Sequence, residues 1–403
     1  MISMHSKKIF KLMIIVLLFS LVVMSISCKK ENITYTPYKI EQWFINPTGP
    51  MTSELAKQPV KTIDSLISII RKYHKTKESA DTLTDSTGNK YIVGYCTPHI
   101  LRYDTLYPLV IYLHGGTGTQ VSNKGEKAYD MLLPLIDSMD IFLASPSADR
   151  DNRWWSAGGL YRILQTIRFM TLHYPIDPDR IFLAGVSDGA TGCWTAINSI
   201  NAPFAGFFAI SGFGGMLPSM GIELYTQNIS CRPIYNVNAE NDRLYPIDII
   251  NNFLDYMESQ NIKLTRKIYP DQEHGFDYRE KEYGTLCSYI RTWKRPSENN
   301  ISWTFTAGLP NRPQSIVSWE FSDAADIRTV HGTFVNDTLT ISAQGISSVT
   351  LELPYAPYNI FIRTGSSKVR KISSINSNYL QLQSKIMRSN PLENSNNFYK
   401  ISF

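Results

Sequence analysis

Cysteine is scarce in this chain, five residues in 403, and no two of them stand close together. Cys28, Cys96, Cys193, Cys231 and Cys287 offer none of the C-x2-C pairs from which structural zinc sites are built, so no metal site is expected from cysteine. Charge is sparse as well, at 19% of residues against 43% hydrophobic, which excludes wholesale disorder. Glycine and proline, 23 and 21 residues, stay near average usage and exclude collagen-like or low-complexity character. No internal repeat is found. The formal charge of +5 comes from 40 basic and 35 acidic residues, yet Lys7, Lys8 and Lys11 crowd one short stretch. Without those three, 37 basic residues face 35 acidic ones. That balance leaves no basic face, and nucleic acid is not expected as a partner.

Long apolar runs are lacking too, with one exception. Leu12–Met24 reads LMIIVLLFSLVVM and is broken only by Ser20. A membrane-spanning helix needs about 20 such residues, so a shorter run behind three lysines fits a signal peptide, assigned to residues 1–27. The following Ser25-Ile26-Ser27-Cys28 resembles the lipobox of bacterial lipoproteins, with Ser25 where that family usually carries leucine. The resemblance implies cleavage before Cys28, a lipid on its thiol, and a protein exported and anchored to the cell envelope. Lys29-Lys30-Glu31 place no aspartate directly after the cysteine, which points to the outer membrane.

Residues 28–60 are polar and punctuated by proline, and read as a tether. Ile63, Leu66, Ile67, Ile70 and Tyr73 keep helical spacing and predict an amphipathic helix over 60–75. Lys90–Thr97 reads as a strand, and Pro108–Leu113 (PLVIYL) is a continuous apolar run of the kind buried on both faces of a parallel sheet. Ile141–Ala144, Arg180–Ala184, Phe207–Ile210 and Pro233–Asn238 are further short apolar runs. Helical stretches, notably Gly159–His173 and Ala190–Ser199, lie between them. This alternation predicts a mostly parallel α/β sheet flanked by helices over residues 61–297. Beyond it the period changes to two. Thr338–Ser342 (TLTIS), Ser348–Leu353 (SVTLEL) and Asn359–Arg363 (NIFIR) predict a small all-β, sandwich-like module over 298–403, with turns at Asn336-Asp337, Gln344-Gly345 and Thr364-Gly365.

The chemistry concentrates at the ends of the predicted parallel strands. Gly185-Val186-Ser187-Asp188-Gly189 stands between the strand Arg180–Ala184 and the helical Ala190–Ser199. In that context G-x-S-x-G is a nucleophile elbow, a strained turn that exposes the serine hydroxyl. The strand Pro108–Leu113 runs directly into His114-Gly115-Gly116-Thr117-Gly118, a turn able to present a backbone N–H, that of Gly116, to an oxyanion. The second donor is expected from the N–H of Asp188. With Ile176–Ala184 (IDPDRIFLA), these motifs resemble the α/β-hydrolase family, in particular secreted serine esterases of the feruloyl-esterase and polyhydroxyalkanoate-depolymerase type, over roughly residues 90–295.

The resemblance implies an order of serine, acid, histidine along the chain. Of the seven histidines, at 5, 74, 99, 114, 173, 274 and 331, only His274 and His331 follow Ser187, and His331 falls in the all-β module. His274 therefore takes the place of the base, after the strand Leu264–Tyr269. The loop Ala239–Pro246 resembles the family's acid loop and offers Asp242, preferred, and Glu240. His114 is expected to be structural, packed under the oxyanion turn. Trp154 and Trp155, on a loop beside the same sheet edge, read either as walls of an acyl or sugar pocket or as core and rim packing.

The leading expectation is a serine carboxylic-ester hydrolase working through an acyl-enzyme, with no metal or organic cofactor. Its substrate is expected to be a small-molecule or polymer-borne ester, such as an acylated or feruloylated polysaccharide. The alternative is a prolyl-oligopeptidase-like serine peptidase, disfavoured because only about 60 residues of the mature chain precede the first strand and leave no room for the β-propeller usual in that group. A third class is a surface binding protein whose β-module does the work, disfavoured by the complete triad order.

Overall fold

The computed structural model describes Ile70 and Arg71, residues 78–296 apart from positions 86, 120 and 122, most of 300–353, and the segments 359–362, 373–375 and 397–402. The expected signal peptide, Cys28, the tether, most of the 60–75 helix and the turns at 336–337 and 364–365 lie outside the described residues. Among the described residues no helix is long and apolar enough to cross a membrane.

Eight strands form one sheet. They are β1 (Ser79–Thr84), β2 (Lys90–Cys96), β3 (Tyr107–Leu113), β4 (Phe142–Pro146), β5 (Ile176–Val186), β6 (Gly206–Ile210), β7 (Ile234–Ala239) and β8 (Leu264–Tyr269), in spatial order β1-β2-β4-β3-β5-β6-β7-β8. β2 runs antiparallel to both neighbours, and every pairing from β4 to β8 is parallel. The sequence pattern explains why. All seven residues of β3 are buried; Leu109, Ile111 and Leu113 face one apolar layer, while Val110 and Tyr112 face the other. A strand apolar on both sides must be covered on both sides. One layer is closed by α2 (Ala157–His173), α3 (Asp188–Ser199) and α5 (Ile247–Ser259), the other by α1 (Leu133–Ser138) and α6 (Arg279–Thr292). A short α4 (Thr226–Ile229) lies between β6 and β7.

One buried charge ties the antiparallel edge to this core. Arg162 of α2 is 1% exposed and donates to Asp149 (2.8 Å), Asp85 (3.2 Å) and the carbonyl of Ser147 (3.0 Å). Its guanidinium also lies 4.7 Å from the centre of the Tyr91 ring. Burial pushes the Asp149 carboxyl up, but the hydrogen bond and charge of Arg162 outweigh it and hold the group below the usual range.

The C-terminal module is built from two four-stranded sheets. One is ordered β14 (Asn359–Ile362), β12 (Thr338–Gln344), β11 (Thr329–Val335), β9 (Asn300–Thr304); the other is β10 (Ile316–Phe321), β13 (Ile346–Leu353), β16 (Asn397–Ser402), β15 (Ser373–Ile375). Ile301, Trp303, Leu339 and Ile341 of the first sheet and Ile316, Val349 and Leu351 of the second share one buried cluster, the layering of a sandwich. The module is hydrogen-bonded to α4 and to the far end of α3. Asn228, fully buried, donates to the carbonyl of Thr304 (2.8 Å) and accepts its N–H (2.9 Å), and Arg312 N–H donates to the carbonyl of Ser199 (2.7 Å). Ser199 ends the helix that Ser187 begins, so this contact lies about 18 Å from the elbow at 1.5 Å per residue.

Candidate active site

Parallel pairing brings the functional loops to one edge. Leu113 is in register with Gly185, Val186 with Ile210, Ile210 with Val237, and Ala239 with Tyr269. The strands therefore end side by side, and the turns after β3, β5, β7 and β8 meet where such sheets carry their ligands.

The elbow is as tight as its motif implies. Ser187 has φ 56° and ψ −118°, a backbone state costly for any residue with a side chain. It is held there by its N–H to the carbonyl of Ile210 (2.9 Å) and by its own carbonyl, which accepts from Ala190 (2.9 Å). The flanking glycines are required by contact: a Cβ at 185 would run into the carbonyl of Gly189, and one at 189 into the carbonyl of Leu113.

Three side chains from three loops then form a relay. Asp242, 3% exposed, uses Oδ1 to accept the N–H groups of Leu244 (2.8 Å) and Tyr245 (2.9 Å), and Oδ2 to accept from His274 Nδ1 (2.7 Å). A carboxylate can only accept, so the imidazole proton sits on Nδ1. That leaves the Nε2 lone pair facing Ser187 Oγ at 3.1 Å, the arrangement a general base needs. Glu240, the other acidic residue of that loop, turns away and accepts the N–H of Asp271 at 3.1 Å. His331 bonds Ser302 within the β-module at 3.1 Å.

The glycine turn faces the nucleophile from the other side. A Cβ on Gly115 would lie 3.1 Å from Ser187 Cβ and 3.7 Å from its Oγ. Gly116 takes φ +64°, in the left-handed region that glycine enters without penalty. Neither the N–H of Gly116 nor that of Asp188 has a hydrogen-bond partner among the described residues.

His114 packs under this turn, as expected. It is 6% exposed, accepts the N–H of Ala148 at Nε2 (3.0 Å) and donates from Nδ1 to the carbonyl of Gly115 (2.8 Å). Burial, opposed by the bond to Gly115 and reinforced by Lys124, lowers its pKa from 6.5 to about 4. Between those values the unfolded chain takes up a proton that the folded chain refuses, so stability declines as pH falls from 6.5 towards about 4. The decline from this ring should amount to about 3 kcal/mol. Urea unfolding of wild type and His114→Gln across this range checks it: the wild-type curve should be steeper by that amount.

The two tryptophans do not wall a pocket together. Trp154 is fully buried, donates from Nε1 to the carbonyl of His114 (2.8 Å) and meets the His114 ring edge-on at 5.2 Å. The pocket-wall reading of Trp154 is thus corrected to core packing, because a side chain with no exposed surface cannot touch substrate. Trp155 is half-buried, packed on the same core with the Arg153 guanidinium 5.6 Å from its ring. Sequence reasoning missed Tyr245, whose ring lies tilted against that of His274 with centroids 5.5 Å apart. Burial raises its phenol above the ordinary value of 10.0. Its position three residues after Asp242 was the available signal. Among the described residues no group of three or more His, Cys, Asp or Glu side chains converges to hold a metal. Among the described residues Cys96, Cys193, Cys231 and Cys287 form no disulfide; the first, second and fourth are buried and Cys231 is half-buried.

Residues 159–294 match the family model described as phospholipase/carboxylesterase, a span that includes elbow, acid loop and histidine loop but not the glycine turn. Comparison with curated proteins finds no match. Among solved structures, a thermostable esterase is similar at 22% identity and TM-score 0.44, over 56% of this chain and 64% of its own. A ferulic acid esterase is similar at 15% identity and TM-score 0.43, over 54% and 99%. The acylaminoacyl peptidase of Pyrococcus horikoshii is similar at 14% identity and TM-score 0.45, over 57% and 44%. The mostly parallel eight-stranded sheet covered by helices on both faces has the architecture of the α/β-hydrolase fold, and residues 159–294 are similar to the phospholipase/carboxylesterase family.

Proposed function

We propose that the protein hydrolyses carboxylic esters outside the cytoplasm through an acyl-enzyme on Ser187, its substrates being acyl esters carried on extracellular polymer. The observation that carries the chemistry is the relay Asp242 Oδ2, His274 Nδ1, His274 Nε2, Ser187 Oγ, with separations of 2.7 and 3.1 Å. Ser187 Oγ attacks the ester carbonyl carbon while His274 Nε2 takes its proton. Asp242 holds the tautomer and stabilises the imidazolium that forms. The charge that develops on the carbonyl oxygen is met by the N–H groups of Gly116 and Asp188, a contribution of about 3 kcal/mol for a well-placed donor. Collapse expels the alcohol with the proton from His274, and water then repeats the sequence on the acyl-enzyme.

Location and polymer substrate rest on the sequence: the apolar run Leu12–Met24, the lipobox-like Ser25–Cys28 and the β-module. Cys28→Ser should release the protein from membranes or block its processing, read by fractionation and gel migration; a variant that behaves like wild type would remove the anchor from this account. The substrate class is tested by screening acetyl, feruloyl and longer acyl esters beside a panel of peptide amides. Turnover of esters with amides untouched is the expected pattern, and preferential amide cleavage would reassign the site to a peptidase.

A further inference from the structure

The glycine turn has almost no side chains with which to hold its own shape, since Gly115, Gly116 and Gly118 surround the buried Thr117. It is held from outside. The carboxylate of Asp188, the residue after the nucleophile, accepts both the N–H of Thr117 (2.6 Å) and its hydroxyl (2.8 Å) on the single oxygen Oδ2. The ammonium of Lys124 donates to the carbonyl of Gly116. These two groups grip opposite ends of one peptide unit, the C=O of Gly116 and the N–H of Thr117. Fixing that plane fixes ψ of Gly116, the residue at φ +64°, and with it the direction of the preceding N–H. A carboxylate so near the oxyanion position is also a like charge there, and the Lys124 ammonium on the same turn opposes it.

Resting on the esterase reading above, we propose that the side chains of Asp188 and Lys124 are positioning residues that clamp the Gly116–Thr117 peptide. They aim the Gly116 N–H at the oxyanion, and Lys124 offsets the charge the clamp introduces. Asp188 then has two parts, its main-chain N–H as donor and its side chain as the clasp on the other donor.

A misaimed donor weakens the transition state and leaves ground-state binding alone, so the effect belongs in kcat and not in KM. The experiment measures both constants on a short-chain nitrophenyl ester for the full chain carrying Asp188→Ala, Asp188→Asn, Lys124→Met and the Asp188→Asn/Lys124→Met double substitution. Asp188→Ala should lower kcat by about 10- to 100-fold, the scale of a misplaced catalytic group, with KM and the melting temperature near wild type. Asp188→Asn keeps an acceptor oxygen and should recover most of that loss. Lys124→Met should lose about tenfold, and adding Asp188→Asn to it should raise kcat again, because the unopposed charge is gone. A purely structural role for these side chains would move melting temperature or KM and show no such recovery. Wild-type kcat in Asp188→Ala, or independent losses in the double variant, overturns the clamp. Ser187→Ala on the same ester tests the underlying reading separately. If wild type leaves that ester intact, the rate of Ser187 phosphonylation by a fluorophosphonate, which builds charge against the same donors, gives the same ranking or overturns it.

Discussion

Replacing Ser187 with alanine should remove ester turnover while leaving the fold in place. On the scale measured for serine proteases the loss in kcat is on the order of 10⁵- to 10⁶-fold, because nucleophile and base act as a unit. The backbone gives no reason for the variant to unfold. Its strained φ of 56° is imposed by hydrogen bonds of the main chain, Ser187 N–H to Ile210 and Ala190 N–H to the Ser187 carbonyl, which alanine keeps. Circular dichroism melting beside kcat/KM separates the two effects: the melting temperature should stay within a few degrees while activity falls to background.

Replacing Asp242 with asparagine is expected to cost about 10⁴-fold in kcat, as in the serine-protease template, and here the structure supplies the reason. The side-chain oxygen of an asparagine would be claimed by the N–H groups of Leu244 and Tyr245, which now donate to Oδ1 at 2.8 and 2.9 Å. Its NH₂ would then point at His274 Nδ1 and oblige that nitrogen to accept. The imidazole proton would move to Nε2 and face Ser187 Oγ, the wrong tautomer for a base. Glu240→Gln should cost little, since Glu240 bonds Asp271 and not His274, and His331→Ala should leave turnover intact. Four rate constants on one ester, with His274→Ala as the second inactive variant, check the assignment. An active Asp242→Asn would take the acid role from Asp242.

Much of this site was legible because its parts are local. A six-residue apolar run such as Pro108–Leu113 reads as a strand covered on both faces, and the elbow glycines are read from their spacing between a strand and a helix. The register that joins Leu113 to Gly185 follows once those strands are parallel neighbours. What escaped depends on contacts distant in sequence. Trp154 could not be told from a pocket wall, because its partner is a backbone carbonyl 40 residues away. Arg162, an arginine that a helix would be expected to turn to solvent, is buried because Asp85 and Asp149 arrive from two other loops. β1 was missed since Ser79–Thr84 is polar and pairs on one side only, where burial imposes little pattern. Choosing Asp242 over Glu240 rested on resemblance; in space the choice is made by which carboxylate reaches Nδ1.

The most direct measurement is to treat the wild-type chain with a limiting fluorophosphonate, map the modified residue by mass spectrometry and follow ester turnover in the same sample. The account predicts one phosphonate per chain, on Ser187, with turnover lost in proportion to occupancy. Modification at another serine, or turnover that survives full occupancy of Ser187, contradicts it.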